Sequence, residues 1–150
     1  MELKVPPTVV FVCFGCLMWV VGRWLPFGDF EFFGRIWLIV ALLIGAALIA
    51  GIALIQFFVS RTSIDPIHPM KTTKLVTKGI YQFSRNPMYL ALLMILLAWG
   101  LWLGNAFNTL TAAGFVYYMN AYQIKPEEKY LLQLFGTEYK QYCTLVRRWF

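Results

Sequence analysis

Charge is what this sequence has least of: Asp, Glu, Lys and Arg make up 13% of its 150 residues, well below their share in ordinary soluble domains. Residues 8–22, 36–60, 88–105 and 106–124 hold none of them. An ion-coupled transporter or proton relay keeps an ionisable carrier inside the bilayer; with no such carrier, that class is excluded. Histidine is limited to His68, which lies between Ile67 and Pro69. No cysteine or acid stands at metal spacing from it, and it reads as a surface loop residue. Cys13 and Cys16 form a C-x-x-C inside an apolar run, half of a structural zinc site with nothing nearby to complete it. They read as small residues on one helix face, Cys143 stands alone, and no metal is expected. The length allows one domain, residues 1–150, without room for a soluble dinucleotide-binding unit beside apolar helices. Any cofactor has to bind on or between those helices.

What remains is apolar: 60% hydrophobic residues, 18% aromatic, and a mean hydropathy of +0.65. A membrane span takes about 20 predominantly apolar residues, and in lipid its backbone groups must pair within the segment, which requires helix. The expected fold class is all-α, a polytopic membrane protein of about four transmembrane helices. They fall near residues 6–25, 36–59, 87–103 and 106–124, with a loop at 60–86 and amphipathic helices in the tail at 125–150. The last two spans meet at Leu103-Gly104-Asn105, a turn sequence that predicts a tight helical hairpin. With no clear cleavage motif after it, the first span is expected to stay in the mature protein.

The net charge of +6 does not imply nucleic acid, because no basic-aromatic binding module accompanies it. The positive residues flank the spans instead. Lys4, then Arg61, Lys71, Lys74, Lys78 and Arg85, then Lys125, Lys129, Lys140, Arg147 and Arg148 lie on one side, against Arg23 and Arg35 on the other. The positive-inside rule therefore puts both termini, the loop and the tail in the cytoplasm of a multi-pass protein. Small residues four apart, Ala46 with Ala50 and Ala47 with Gly51, let helix backbones approach closely. They serve either packing within the chain or a homodimer seam.

Reactive groups are confined to the loop and the tail. In the loop, Pro66, Pro69 and Gly79 argue against one continuous helix. Asn86-Pro87 reads as a helix start, with Asn86 as N-cap and Pro87 at the first helical position. The positive end of that helix, beside Arg85, suits a carboxylate or phosphate. The tail opens with Pro126-Glu127-Glu128, a second helix-start pattern. At about 100° per residue, Glu127 shares a face with Tyr130, Leu131 and Leu134. Its carboxylate thus points to the apolar side and needs a cationic partner, either Arg85 or a ligand. Phe135-Gly136 predicts a glycine-capped helix end. Tyr139, Tyr142, Cys143 and Val146 then form an amphipathic face, with Arg147 and Trp149 as interfacial anchors.

Together these segments resemble the isoprenylcysteine carboxyl methyltransferase and phospholipid methyltransferase superfamily. That family is marked by an R-H-P-x-Y stretch, a hydrophobic hairpin, a Glu-Glu pair and F-G-x-E-Y. The matching residues are Arg85-Asn86-Pro87-Met88-Tyr89, Glu127-Glu128 and Phe135-Gly136-Thr137-Glu138-Tyr139. The likeness covers roughly residues 62–150. It implies transfer of methyl from S-adenosylmethionine to a lipophilic or lipid acceptor at the membrane surface, with S-adenosylhomocysteine as product; the expected location is the inner (plasma) membrane of a prokaryote. Carried over by position, cofactor contacts fall on Lys74, Leu75, Val76, Tyr81, Asn86, Pro87, Met88, Tyr89 and Glu127. Arg85 and Glu128 are the catalytic candidates, Arg85 meeting a carboxylate and Glu128 serving as base if the acceptor arrives protonated. Asn86 stands where the motif has histidine. Gln123 stands where isoprenylcysteine enzymes carry an arginine for the substrate carboxylate, so Asn120 and Gln123 are the candidates for the acceptor headgroup. A non-catalytic membrane scaffold and a nicotinamide-dependent membrane reductase are the competing readings.

Overall fold

The computed structural model describes residues 5–25, 28–60 and 75–150; Lys74 and His68 lie outside them. Among the described residues the chain is helical, without a strand beyond an isolated bridge between Asp29 and Asn105. The helices are α1 (Pro7–Trp24), α2 (Arg35–Ser60), α3 (Pro87–Leu103), α4 (Asn108–Tyr118) and α5 (Lys125–Leu145). A short 3₁₀ turn, Gly79–Gln82, precedes α3, and a π-helical segment, Met119–Ile124, joins α4 to α5. By length and composition α1 and α2 are the two helices able to cross a membrane, and α3 is a shorter apolar helix of 17 residues.

The packing inverts that of a soluble bundle. On α2 the large residues Leu43, Ile44, Leu48, Ile52 and Ile55 face outward, while Ile39, Ala46 and Ala53 are buried. Those buried positions recur every seven residues, so one narrow seam of α2 lies along α3. Gly45 admits the Met94 methyl, which a Cβ there would meet at 2.7 Å. Small residues inside and large ones outside suit a helix surrounded by lipid. Ala46 serves packing within the chain; Ala47 is exposed, and Gly51 has open space where a Cβ would stand.

Helix α3 is the central element, packed against α1, α2 and α4. It ends where the sequence predicts: Gly104 adopts a left-handed φ of 70° and its N–H returns to Gly100 and Leu101. Asn105 fastens this corner. Its buried side chain donates to the Leu25 carbonyl at 2.9 Å and accepts from the Phe107 N–H at 3.0 Å. The end of α1 is thereby tied to the hairpin. Nearby, a cavity of about 300 Å³ lies among α1–α4, lined by Met18, Leu42, Leu97, Gly100 and Asn108 among others. Gly100 is eleven residues from Tyr89, so this cavity sits roughly 16 Å along α3 from the helix entrance.

Pro126 and the two glutamates stand in the first turn of α5 as the helix-start pattern predicts, and the π segment carries α4 into α5 without a loop. A proline inside a helix clashes with the carbonyl four residues back, and a π turn placed just before it widens the backbone at that point. Gly136 ends the first helical stretch of α5 as expected: it leaves the helix at φ 53°, ψ −121°, and a second stretch runs from this kink to Leu145. The kink turns Tyr139 and Tyr142 inward, into a buried cluster with Ala53, Tyr81 and Val146.

Candidate active site at the entrance of α3

The kinked tail folds back over the start of α3, bringing together the two segments that carry the chemistry. Pro87 occupies the first turn of α3 as expected, and Asn86 is the N-cap residue, but its side chain makes no capping bond. The hydroxyl of buried Ser84 accepts from the Asn86 N–H at 3.2 Å instead. The Asn86 amide is thereby left to donate to the Arg148 carbonyl at 2.9 Å. Asparagine in the place of the motif histidine has a defined task here: it holds the tail.

The acid expected to seek a cation finds a phenol. Tyr89 donates its hydroxyl to Glu127 Oε2 at 3.1 Å. Among the described residues no cation stands within ion-pair distance of Glu127. Part of the residue remains accessible, but its carboxyl is enclosed. Burial pushes that carboxyl up to about 7; the Tyr89 hydrogen bond works against the rise and the neighbouring Glu128 charge adds to it. Tyr81 also faces this group: burial, then Tyr142 and Glu127, raise its phenol above the ordinary range.

Arg85 pairs with Glu128, not Glu127, its Nη1 lying 3.2 Å from Oε1. Arg148 grips the same carboxylate with two donors, Nε at 3.0 Å and Nη2 at 2.6 Å. Arg85 also touches the Cys143 sulfur. The two glutamates therefore divide in environment. Glu128 has both oxygens in ion pairs, whereas among the described residues Glu127 keeps a buried carboxyl matched by the neutral Tyr89 hydroxyl.

Around these groups, Leu75, Val76, Ile80 and Met88 pack against the cluster of Tyr81, Tyr139 and Tyr142. Tyr142 donates to the Tyr81 carbonyl at 2.6 Å, which fixes the 3₁₀ turn. Gln56 does so from the other side, its Oε1 accepting from the Ile80 N–H at 3.2 Å. Gly79 makes this possible. It holds φ at 63°, and a Cβ on it would lie 1.5 Å from the Gln56 amide nitrogen. A Gly79→Ala variant is expected to lose about 1–3 kcal/mol of stability from strain and the lost bond. A thermal-unfolding comparison in detergent checks this.

The two acceptor candidates are engaged within the chain. Asn120 accepts from the Trp149 indole N–H at 3.1 Å. Gln123 is buried in the π segment and donates to the Val5 carbonyl, leaving its Oε1 without a partner among the described residues. Thus Leu75, Val76, Tyr81, Arg85 to Tyr89, Glu127 and Glu128 are gathered at one entrance, with Asn120 and Gln123 on the adjoining turn. Sequence reasoning missed Gln56, although it is the lone amide in the apolar stretch 36–59. It also missed the inward roles of Arg148 and Trp149, whose spacing shows only a basic-aromatic end.

Lipid-length apolar helices, small residues at the packing seam and ionisable groups gathered at one end define a membrane-protein architecture. The family model for phospholipid methyltransferase matches residues 32–138, and the chain belongs to that family. An uncharacterized protein of Haemophilus influenzae is 53% identical over 62 residues, which cover 41% of this chain and 98% of that protein. Protein-S-isoprenylcysteine O-methyltransferase B of Arabidopsis thaliana is 37% identical over 73 residues, 49% of this chain and 37% of the plant protein. Protein-S-isoprenylcysteine O-methyltransferase of Schizosaccharomyces pombe is 37% identical over 68 residues, 45% of this chain and 29% of the yeast protein. The matched part is thus well under half of either eukaryotic relative. No solved structure matches.

Proposed function

We propose that this protein is an integral membrane methyltransferase that uses S-adenosylmethionine to methylate a small lipophilic or lipid acceptor at the cytoplasmic face. The observation that carries this is the Glu127 carboxyl, buried against Tyr89 with no cation beside it among the described residues. An enclosed acid of this kind suits a ligand that brings its own positive charge. The family membership and the isoprenylcysteine relatives support methyl transfer as the chemistry.

The residues present fit the cofactor. Glu127 takes its ammonium, and Arg85, with the first turn of α3, takes its carboxylate. The rings of Tyr81 and Tyr89 offer faces to its sulfonium. Asn86, Pro87 and Met88 form the entrance wall, and Leu75 and Val76 the loop wall, with Lys74 next to them in sequence. When bound, S-adenosylmethionine supplies a methyl group activated toward nucleophiles. The chain's own part is to hold the acceptor in line with that methyl and exclude water, from which much of the rate gain in a displacement comes. Glu128, bracketed by two guanidinium groups, positions Arg85. Of the two residues proposed for the acceptor headgroup, Asn120 becomes available when Trp149 releases it, while Gln123 is held inward by the Val5 carbonyl.

The distribution of Lys and Arg supports an arrangement of four spans with this entrance on the cytoplasmic side. In it, α3 and the stretch 108–124 serve as the third and fourth spans, each about 25 Å long. The outward Ala47 and Gly51 offer a close-approach seam for a second copy.

The reading is tested by incubating detergent-purified protein with methyl-labelled S-adenosylmethionine and a total membrane lipid extract. Label is expected in a chloroform-soluble product. If no lipid fraction gains label over heat-treated protein, the acceptor class proposed here is wrong.

A further inference from the structure

After Leu145 the chain leaves the helix: Val146 is extended at φ −122°, ψ 133°. The next residues run across the start of α3 and contact one member after another of the candidate site. The Arg147 carbonyl accepts from the Arg85 N–H at 3.1 Å. The Arg148 carbonyl accepts from the Asn86 side chain, and the Arg148 guanidinium grips Glu128. The Trp149 indole donates to Asn120. Val146 is buried beside Tyr81 and Tyr142, and Trp149 packs on the core that contains Tyr89 and Met119. Leu145, Arg147 and Phe150 point outward. The segment is therefore held by two apolar anchors and a row of polar contacts, and each polar contact falls on a residue of the candidate site.

Resting on the methyltransferase reading, we propose that Val146–Trp149 is a strap that gates this site, and that ligand entry requires it to lift from Asn86, Glu128 and Asn120. The geometry of its fastening favours a gate over a permanent wall. Segments with few buried apolar contacts open at low free energy while the core stays folded, and here the polar fastenings can exchange for water one by one. When the strap closes, it shields the Tyr89–Glu127 pair, and closure over a charged site strengthens the interactions inside it. Arg148 is then a positioning residue. It bonds no reacting atom, but it joins the strap to Glu128, and Glu128 holds Arg85.

The test follows the rate of S-adenosylhomocysteine binding by stopped-flow, and amide hydrogen exchange over residues 146–149, on full-length protein in detergent. In Arg148→Gln the strap loses its charged clasp. Its amides are expected to exchange faster, and the observed association rate to rise on the order of tenfold, the size of one charge-assisted clasp. Trp149→Phe keeps the aromatic body, drops the bond to Asn120, and is expected to give a smaller change of the same sign. Because it preserves the packing, it decides the matter if Arg148→Gln fails to fold. Wild-type protein that binds at the same rate as both variants overturns the gate and leaves the cofactor assignment standing. Binding by the variants alone supports the gate. No binding by wild type or either variant overturns the cofactor assignment and the gate with it.

Discussion

Glu127→Gln is expected to weaken S-adenosylhomocysteine binding by roughly 30- to 1,000-fold, measured by isothermal titration in detergent. Removing one partner of an enclosed, hydrogen-bonded charge pair costs about 2–4 kcal/mol, because the other charge is left buried and unmatched. Here the carboxylate is the group that would meet the ligand's ammonium, and among the described residues the neighbouring acid does not stand in for it. Glu128 is turned toward Arg85 and Arg148. The substitution is a clean one for the fold. Glutamine keeps an oxygen able to accept from Tyr89, and it removes the cost of enclosing an ionised carboxyl. Thermal stability of the ligand-free variant should therefore match or exceed that of the wild type, which separates lost binding from lost structure. Exposed Glu138 on the same helix serves as control, and Glu138→Gln should bind as the wild type does. An affinity within threefold of the wild type in Glu127→Gln would remove the central contact of the proposed site.

The helices were legible in the sequence because they depend on short-range rules. The apolar runs carry α1, α2 and α3, Gly104 marks the hairpin, and Pro87 marks the start of α3. Glu127 was also legible as an inward acid, since helix periodicity alone turns it to the apolar side. What periodicity does not fix is partner choice. Arg85 lies 42 residues from Glu127 and 43 from Glu128 in sequence, and a shift of one helical position decides which carboxylate it meets. That choice depends on the π turn before Pro126, which rotates the start of α5, and on the kink at Gly136, which swings the rest of the tail inward. Both are local departures from helix whose effects appear far along the chain. The inward turn of Arg148 and Trp149 follows from them. From the sequence Trp149, paired with Arg147, looks like an interfacial anchor. Only the folded tail brings Arg148 and Trp149 over Asn86 and Asn120.

The second large effect concerns pH, and it runs in opposite directions for binding and for stability. Burial holds the Glu127 carboxyl up to about 7, from an unperturbed value of 4.5. An ammonium-bearing ligand selects the ionised form, so below that point each binding event releases a proton. S-adenosylhomocysteine affinity is therefore expected to climb about tenfold per pH unit from pH 5 to pH 7 and level off above, by the linkage of binding to one ionisation. The ligand-free protein behaves inversely. Between the unfolded and folded values the native state binds more protons than the unfolded chain, so stability falls as pH rises through that window, by on the order of 3 kcal/mol in all. The groups facing the carboxyl do not blur this. Tyr89 donates a neutral hydroxyl, Tyr81 is held protonated by its burial, and Glu128 is charge-paired with Arg85 and Arg148. Titration calorimetry across pH 5–8, set beside thermal unfolding of ligand-free protein over the same range, gives two curves that should cross. Both should flatten in Glu127→Gln. A wild-type affinity that stays constant over that range would mean that the ligand's charge is met somewhere other than Glu127.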